Sequence, residues 1–486
     1  MTPEIDTRPD IVSGFLSDAA HVPGGHAKGV AFPRTIEEVA ALVAPADHIL
    51  PVGAQSSLTG GATPRGDVVL STRGLTSLAI DAGAMRVRVG AGLPLAELQR
   101  ALASAGLYYP PIPTYDGAFV GGTLSTNAAG AATFKYGSAR RWVEALTVVL
   151  ADGTILLIER GRTKAAEMVS VPTYVMPDVP KLSAGYYARH DMDLVDLFVG
   201  SEGTLGVIVE ATLRVMALPR KCAALVTCAS DAQAVALTAA LREQAALAWR
   251  GDGPLDVAAV EFMDTRALAL VPDEAFARAR VARPAEGAVL VLVQIEVPGD
   301  DDAALAALAD VLDACGITED PVLAMAGDDR AVARMFELRE AVPASVNRHI
   351  AGVQARVDPG VHKTAGDMIV PFDTLEASIA LYRRAFESRG LRYAIWGHVS
   401  DGNLHPNVVP DTLRDVEAGS EAILEMAHEV LAMGGAPLAE HGVGRSALKQ
   451  RLLREMYGDR GIDEMRAVKR TLDPGWKLSS GVLFPP

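Results

Sequence analysis

Histidine, glutamate and glycine residues concentrate in two short segments of the C-terminal half. Residues 393–409 read YAIWGHVSDGNLHPNVV and contain His398 and His405. If Ser400 to Asn403 form a four-residue hairpin loop, His398 faces His405 across two paired strands, and directly opposed side chains share one face of a sheet. Two imidazoles placed in this way are suitable ligands for one divalent ion. The segment therefore predicts part of a metal site.

A third candidate ligand lies in the segment AEHGVG, residues 439–444. Glu440 and His441 are adjacent, and adjacent side chains of an extended segment point in opposite directions. One of the two side chains can therefore bind a metal while the other faces a substrate. The alternative is structural, with buried histidines that have satisfied hydrogen bonds and a carboxylate that caps a helix. The residue types alone leave both interpretations open.

Four glycine-rich segments in the N-terminal half indicate a second kind of site. They are residues 51–62 (PVGAQSSLTGGA), 121–130 (GGTLSTNAAG), 135–137 (KYG) and 200–206 (GSEGTLG). Such loops expose successive backbone N–H groups to an anion such as a pyrophosphate, and they allow a flat ring to approach the backbone. None of them has the GxGxxG or GxxxxGK[ST] pattern of the usual nucleotide-binding loops. Each loop alone is more typical of an ordinary turn.

The elements that must position these residues follow a mixed pattern of helices and strands. Thr35 begins a capping box that opens a helix through Val43. Residues 49–52 and 85–89 have the patterns of short strands. After Pro219 alanine-rich helical stretches alternate with strands, and we therefore predict a domain boundary near residue 218.

Bulk properties exclude several classes of function. The net charge of −15 argues against nucleic acid or an anionic membrane surface as a main partner. No unbroken apolar run reaches the about 18 residues that suggest a transmembrane segment, and the N-terminus lacks the pattern of a secretory signal. The three cysteines form no CxxC pair, which argues against a disulfide framework or a zinc knuckle. The expected location is a reducing cytoplasm.

The order and spacing of the four glycine-rich segments resemble the PCMH-type FAD-binding domain of the vanillyl-alcohol oxidase superfamily. From about residue 30 to Phe484 the chain is similar to the branch that contains glycolate oxidase subunits, D-lactate dehydrogenases and D-2-hydroxyglutarate dehydrogenases. The resemblance implies an α+β fold. It implies a two-lobed FAD-binding domain (1–218), a substrate-binding cap domain with an antiparallel sheet covered by helices (219–460), and a C-terminal segment that returns toward the FAD domain (461–486).

The resemblance also assigns residues to FAD. The residues that it implies in cofactor binding are Pro51, Gly53, Ala54, Gln55, Ser56, Ser57, Leu58, Pro111, Thr114, Gly117, Gly121, Gly122, Thr123, Ser125, Thr126, Asn127, Glu202, Gly206 and Ile208. Members that attach FAD covalently often use a histidine in the first loop. Because residues 51–66 contain no histidine, we expect noncovalent FAD.

In the C-terminal half the resemblance implies a zinc-type metal site and a catalytic base. His398, His405 and Glu440 match the metal ligands of the D-2-hydroxy-acid dehydrogenases, and His441 matches their base. Arg339 matches the arginine that binds the substrate carboxylate, a role that suits its planar pair of donors. The alternative for Arg339 is a solvated helix face.

The predicted function is the FAD-dependent oxidation of a D-2-hydroxy acid, such as D-lactate, glycolate or D-2-hydroxyglutarate, to the 2-oxo acid. In this hypothesis the metal lowers the pKa of the substrate hydroxyl. His441 removes the proton as general base, and the Cα hydride passes to flavin N5. Departures from the family pattern, such as Ser400 in place of the first glycine of its GDGN turn, leave the substrate open.

Partners and alternative functions are less restricted by the sequence. The electron acceptor is open among a quinone, a cytochrome, an electron-transferring flavoprotein and oxygen, and a homodimer is also open. An acceptor in a membrane would allow loose membrane association of a cytoplasmic protein. The alternative functions are a FAD-dependent transferase like alkylglycerone-phosphate synthase and a flavin-free metallohydrolase.

Overall fold

The computed structural model describes residues 3–297, 299 and 301–486. The strands are β1 (Ile5–Asp6), β2 (His26–Ala31), β3 (Ile49–Val52), β4 (Arg65–Ser71), β5 (Leu78–Asp81), β6 (Arg86–Gly90), β7 (Leu107–Tyr108), β8 (Val143–Val149), β9 (Ile155–Glu159), β10 (Val207–Arg214), β11 (Met216–Ala217), β12 (Lys221–Cys228), β13 (Asp256–Met263), β14 (Val289–Glu296), β15 (Val322–Ala324), β16 (Met368–Ile369), β17 (Tyr393–His398) and β18 (Asn403–Val408). The helices are α1 (Pro9–Ser13), α2 (Ile36–Val43), α3 (Leu95–Ser104), α4 (Val120–Ser125), α5 (Thr133–Tyr136), α6 (Leu194–Phe198), α7 (Asp231–Ala248), α8 (Thr265–Leu270), α9 (Asp273–Ala279), α10 (Asp301–Ala314), α11 (Asp329–Arg356), α12 (Leu375–Glu387), α13 (Leu413–Ala432) and α14 (Ala447–Leu472).

The chain folds as two compact units. Unit 1 contains the chain up to Gly130, then Gly137–Leu218 and Leu438–Pro486, and unit 2 contains Ala131–Tyr136 and Pro219–Pro437. The boundaries predicted from the sequence were 218 and 460. The chain leaves unit 2 already at residue 437, and α14 continues across residue 460 within unit 1.

Unit 1 contains two main sheets around a shared core. The first sheet has the order β1-β2-β4-β3 with parallel pairs β2–β4 and β4–β3, and the second is antiparallel with the order β5-β6-β10-β8-β9. The N-cap Thr35 accepts a hydrogen bond from the Glu38 N–H, as the capping pattern predicts. Buried side chains of α2 and of both sheets pack in one cluster. The loop after β3 thus follows a strand of the first sheet, and helix α4 packs against β6 and β10 of the second sheet.

Unit 2 contains a seven-stranded antiparallel sheet with the order β15-β12-β14-β13-β17-β18-β16. Every residue of β14 is buried, because helices cover the sheet and its central strands face packed side chains on both sides. Phe276 of α9 and Leu338 of α11 belong to the core cluster on the face that carries Met263. The predicted α+β fold, with an antiparallel sheet covered by helices, is confirmed.

Helix α11 carries the candidate arginine on its buried side. Its buried residues include Met335, Leu338, Arg339, Val342 and Val346, which recur at the spacing of one helix face. Because this stripe belongs to the core of unit 2, Arg339 is directed into the protein. The alternative of a solvated helix face is therefore wrong.

No helix in the part of the chain that the structure describes has both the length and the apolar character needed to span a membrane.

Candidate functional site

The loop that follows β3 presents a row of backbone donors. Within the described residues, none of the backbone N–H groups from Gly53 to Leu58 donates a hydrogen bond to the protein. Asp18 holds the far end of the loop by accepting from the Ala62 N–H at 3.1 Å, and the Gln55 side chain donates to the Ser17 carbonyl at 2.7 Å. An ordered, half-buried loop with consecutive donors fits an anionic group such as the FAD pyrophosphate.

Helix α4 contains two glycines with different surroundings. A Cβ at Gly121 would lie 2.6 Å from the Ala91 Cβ, whereas a Cβ at Gly122 would meet no atom within 4 Å. The hydroxyls of Thr123 and Thr126 donate to carbonyls of the same helix, those of Val120 and Gly122. Gly121 is therefore required for packing, and Gly122 faces open space at which a ligand can approach the backbone.

The end of this segment is held by an asparagine. Asn127 has a positive φ of 49°, accepts from the Arg140 N–H at 3.0 Å and donates to the Leu182 carbonyl at 3.2 Å. Its side chain is therefore occupied in shaping the turn. Half-buried Ser125 accepts at its backbone carbonyl from the Glu202 N–H.

The other predicted cofactor residues have varied environments. Pro111 is buried, Thr114 is exposed and Gly117 lies against the ring of Tyr115. A Cβ at Gly206 would lie 2.4 Å from Val148 Cγ1, so that glycine is required for the pairing of β8 with β10. Ile208 is buried within β10. The assignment of these residues to FAD stays a prediction.

The Glu202 carboxylate is hydrogen-bonded to backbone groups of unit 1. Its carboxylate accepts from the Val443 and Gly444 N–H groups at 2.7 and 2.8 Å. Burial raises the pKa of Glu202 to about 7, although these hydrogen bonds and Lys449 oppose the rise. Glu202 thus fixes the backbone directly after the Glu440–His441 pair.

The hairpin of β17 and β18 carries His398 and His405. His398 pairs with Asn403, so the loop runs over Val399–Gly402 and not over Ser400–Asn403. The predicted direct opposition of the two histidines is wrong, because Gly402 adopts the left-handed conformation (φ 80°) that ends the turn. In the observed register His405 lies two residues beyond Asn403, the partner of His398. Because side chains alternate between the two faces of a sheet, both histidine rings still project from the same face. Their centroids lie 5.5 Å apart.

His398 belongs to a buried ionic network in unit 2. Its Nδ1 lies 2.5 Å from Glu261 Oε1, and Glu261 Oε2 accepts from Arg339 Nε at 2.6 Å. Arg339 Nη1 also donates to Glu340 Oε1 at 2.8 Å. Burial raises the pKa of Glu261, but His398 and Arg339 outweigh this effect and lower that pKa to about 2. Glu261 is therefore an anion that two candidate site residues share.

His405 has its own carboxylate neighbour. Its Nδ1 lies 3.5 Å from Asp367 Oδ1, and Asp367 accepts from the Asn403 amide at 3.3 Å. His405 and Asp367 are almost fully buried. His398 therefore has a carboxylate at hydrogen-bond distance from Nδ1, the arrangement that orients a metal-binding imidazole in proteins, whereas the carboxylate near His405 lies farther from the ring.

Glu440 and His441 lie together in unit 1. The chain bends at this point, and His441 Nε2 lies 3.5 Å from Glu440 Oε1 instead of pointing away from it. Lys181, whose side chain is 1% exposed, donates to Glu440 Oε2 at 2.7 Å. The His441 side chain is 28% exposed and the Glu440 side chain 7%. His441 is therefore the member of this pair that a small molecule can reach.

Three of these residues were not predicted from the sequence. Glu261 had a signal, since it is the one charged residue inside the apolar run VAAVEFM of residues 257–263. Asp367 and Lys181 lie in segments without clear periodicity. Their partners, His405 and Glu440, are remote in the sequence and gave no indication of them.

Two family models match the chain. The model described as FAD binding domain matches residues 27–159, and the model described as FAD linked oxidases, C-terminal domain matches residues 216–483. The first range contains the loop after β3 and helix α4. The second range contains His398, His405 and Glu440.

Curated proteins are similar over nearly the whole chain. A D-2-hydroxyglutarate dehydrogenase from Xanthomonas citri pv. viticola is 31% identical over 94% of this chain and 89% of its own length. The glycolate oxidase subunit GlcD from Bacillus subtilis is 29% identical over 93% of this chain and 88% of its own length.

A solved structure of alkyldihydroxyacetonephosphate synthase has the same fold, with a TM-score of 0.60 at 17% identity over 93% of this chain and 75% of that chain. The C-terminal family model alone matches more than half of the chain, and the FAD-binding model matches the loop with the consecutive N–H donors. The expectation of a FAD-dependent enzyme is thereby confirmed, and the chain belongs to the family of FAD-linked oxidases.

Proposed function

We propose that this protein oxidises a D-2-hydroxy acid to the corresponding 2-oxo acid with FAD. The main support for the proposal comes from the enzymes that the two curated relatives are named as, since both relatives match nearly the whole chain. One is named for D-2-hydroxyglutarate and the other for glycolate. These molecules differ in size and charge but share a hydroxyl on the carbon next to a carboxylate. The shared group defines the substrate class, which also includes D-lactate.

The cofactor half of the proposal is supported by unit 1. The N–H groups of Gly53 to Leu58 would hold the pyrophosphate, and Gly122 would allow a close approach of the cofactor to α4. Bound FAD supplies the hydride acceptor of the reaction. Because residues 51–66 contain no histidine, the proposed FAD is noncovalent.

The metal half of the proposal concerns His398, His405 and Glu440. Two imidazoles and a carboxylate are a ligand set that suits zinc and similar divalent ions. A bound divalent ion supplies a positive charge that lowers the pKa of a hydroxyl. The carboxylate of Glu261 beside His398 supports this reading, because a histidine that binds a metal commonly donates its other ring N–H to an oxygen.

His441 and Arg339 are the proposed catalytic residues. His441 would accept the hydroxyl proton as general base, and it is the more exposed member of the pair with Glu440. Arg339 would bind the carboxylate of the substrate, since its guanidinium is buried and held in a fixed plane by Glu261 and Glu340.

The substrate class is tested by anaerobic mixing of the FAD-loaded protein with D-lactate, L-lactate, glycolate and D-2-hydroxyglutarate. At least one D-2-hydroxy acid or glycolate should bleach the oxidised flavin, and L-lactate should act much more slowly than D-lactate. If none of the four compounds reduces the flavin, the proposed substrate class is wrong. Reoxidation by oxygen, a quinone or a cytochrome in the same apparatus identifies the electron acceptor.

No second function is favoured by a specific observation. The likeness to alkyldihydroxyacetonephosphate synthase, at 17% identity, extends to the fold alone. The FAD-binding model on residues 27–159 argues against a flavin-free metallohydrolase. A purified protein without flavin colour would reopen that alternative.

A further inference from the structure

We infer that Glu261 is a positioning residue, which selects the nitrogen of His398 that binds a metal and fixes the guanidinium of Arg339. This inference rests on the proposed function, because it gives a role to Glu261 in the same reaction. Neither the sequence pattern nor the named relatives assign this residue.

The sheet register places Glu261 for this role. Glu261 of β13 pairs directly with His398 of β17, and directly paired residues of antiparallel strands project from the same face. The Glu261 side chain is 1% exposed. Its contact with His398 therefore follows from backbone pairing and does not depend on a flexible surface side chain.

The two carboxylate oxygens have different partners. Oε1 lies 2.5 Å from His398 Nδ1, and Oε2 lies 2.6 Å from Arg339 Nε. A carboxylate accepts hydrogen bonds, so it favours a proton on Nδ1 and leaves Nε2 as the nitrogen for a metal. One buried anion thus determines the tautomer of a proposed metal ligand.

The same anion holds the proposed substrate-binding arginine. Glu261 engages Nε of Arg339 while Glu340 engages Nη1. Two acceptors on different atoms of one guanidinium fix its plane, which reduces the entropy lost when it binds a carboxylate. Loss of Glu261 should therefore weaken the binding of both the metal and the substrate.

The test compares the FAD-loaded protein, stripped of metal with a chelator, with its Glu261→Gln, Glu261→Asp and Glu296→Gln variants. Glu296 is the matched control, because it is also a buried carboxylate of this sheet but bonds Lys135 and Tyr136. Zinc affinity is measured by competition with a chromophoric chelator, and cobalt affinity by its visible absorption. Thermal unfolding of each protein shows whether it is folded.

Glu261→Gln should bind zinc and cobalt about 10- to 100-fold more weakly than wild type, and it should raise the KM for the hydroxy acid. Glu261→Asp, which keeps the charge, should recover part of the metal affinity. Glu296→Gln should match wild type in metal affinity and KM. Equal affinities in wild type, Glu261→Gln and Glu296→Gln would overturn the inference and leave the proposed function intact.

A second measurement does not depend on the folding of a variant. In the wild-type protein without metal, the nitrogen-15 resonances of His398, identified by their loss in His398→Gln, should show a proton on Nδ1. A bare Nδ1 would overturn the inference. If wild type itself takes up no divalent ion, the metal half of the proposed function fails, and the inference fails with it.

Discussion

At the scale of single residues, the candidate site depends on pairs that are far apart in the sequence. Glu261 and Arg339 are 78 positions apart, and Glu261 and His398 are 137 positions apart. Each carries a charge or a polar group that would be costly to bury alone, and each is satisfied by the others. His398 and Arg339 were predicted from the sequence as site residues, whereas the carboxylate that joins them was not.

His441 is the residue whose removal should affect the reaction most selectively. We expect His441→Asn to slow flavin reduction by the best substrate by about 100- to 10,000-fold, because a general base contributes on this order. The rate is measured by anaerobic stopped-flow absorbance at saturating substrate. FAD content and thermal stability should remain close to wild type, since His441 is partly exposed.

His190→Asn is the matched control for this variant. The His190 side chain is 94% exposed, and its Nδ1 lies 2.9 Å from Oδ2 of its neighbour Asp191. The control should reduce flavin at the wild-type rate. An unchanged rate in His441→Asn would show that His441 is not the base.

At the scale of elements, the strongest local sequence patterns predicted the positions of helices and strands correctly. The N-cap at Thr35 and the buried strand at Ile49–Val52 appear where the sequence predicts them, although the Glu38 side chain accepts from the Arg34 N–H and so does not complete the predicted capping box. The hairpin of β17 and β18 was predicted with the correct face but a different register. That difference arose because the left-handed Gly402 closes the turn, and a turn of four residues can be placed in more than one way on a sequence with several turn-forming residues.

Helix α4 provides a prediction that separates packing from ligand access. Gly121→Ala should lower the free energy of unfolding of the FAD-free protein by about 1–3 kcal/mol, because the new Cβ overlaps Ala91. Chemical denaturation followed by fluorescence measures this change. Gly122→Ala, one position along the same helix, is the control and should cost less than 0.5 kcal/mol, roughly the effect of an ordinary surface change.

The two glycine variants should also be compared in their affinity for FAD. Gly122→Ala should weaken FAD binding while the FAD-free protein keeps its stability, since the new methyl group occupies the open space above the helix. Equal loss of stability in both variants would contradict the difference in packing that the structure shows.

At the scale of the whole molecule, the two family models agree with the division into units only near residue 218, because the C-terminal model also covers residues 438–483 of unit 1. The FAD-binding model ends at residue 159 within unit 1, and the C-terminal model begins at residue 216, near the boundary at 218. The C-terminal residues 438–486 return to unit 1, and the segment 131–136 belongs to unit 2. The composition of the sequence does not indicate that residues 438–486 belong to unit 1 or that residues 131–136 belong to unit 2, because both assignments depend on packing.

The proposal that FAD is bound noncovalently leads to a prediction for the intact protein. Precipitation with acid should release all of the flavin into the supernatant, because no histidine in residues 51–66 can attach it. The measurement is the absorbance of supernatant and pellet, with wild-type protein before precipitation as the reference for total flavin. Added FAD should also raise the unfolding temperature of flavin-depleted protein, since a ligand of the native state stabilises it. Flavin that stays with the pellet would contradict the prediction.

The sequence by itself determined the family, the α+β class, the glycine-rich loops and the identity of the candidate ligands. The loops and the candidate ligands were predicted from local spacing, which a chain carries before it folds, whereas the α+β class was implied by the resemblance to a known family. Only the tertiary structure decided that Glu261 joins His398 to Arg339, that Lys181 pairs with Glu440, and that His441 bends back to Glu440. The first two contacts join residues that are far apart in the sequence, so strand register and packing decide which partner compensates each buried charge.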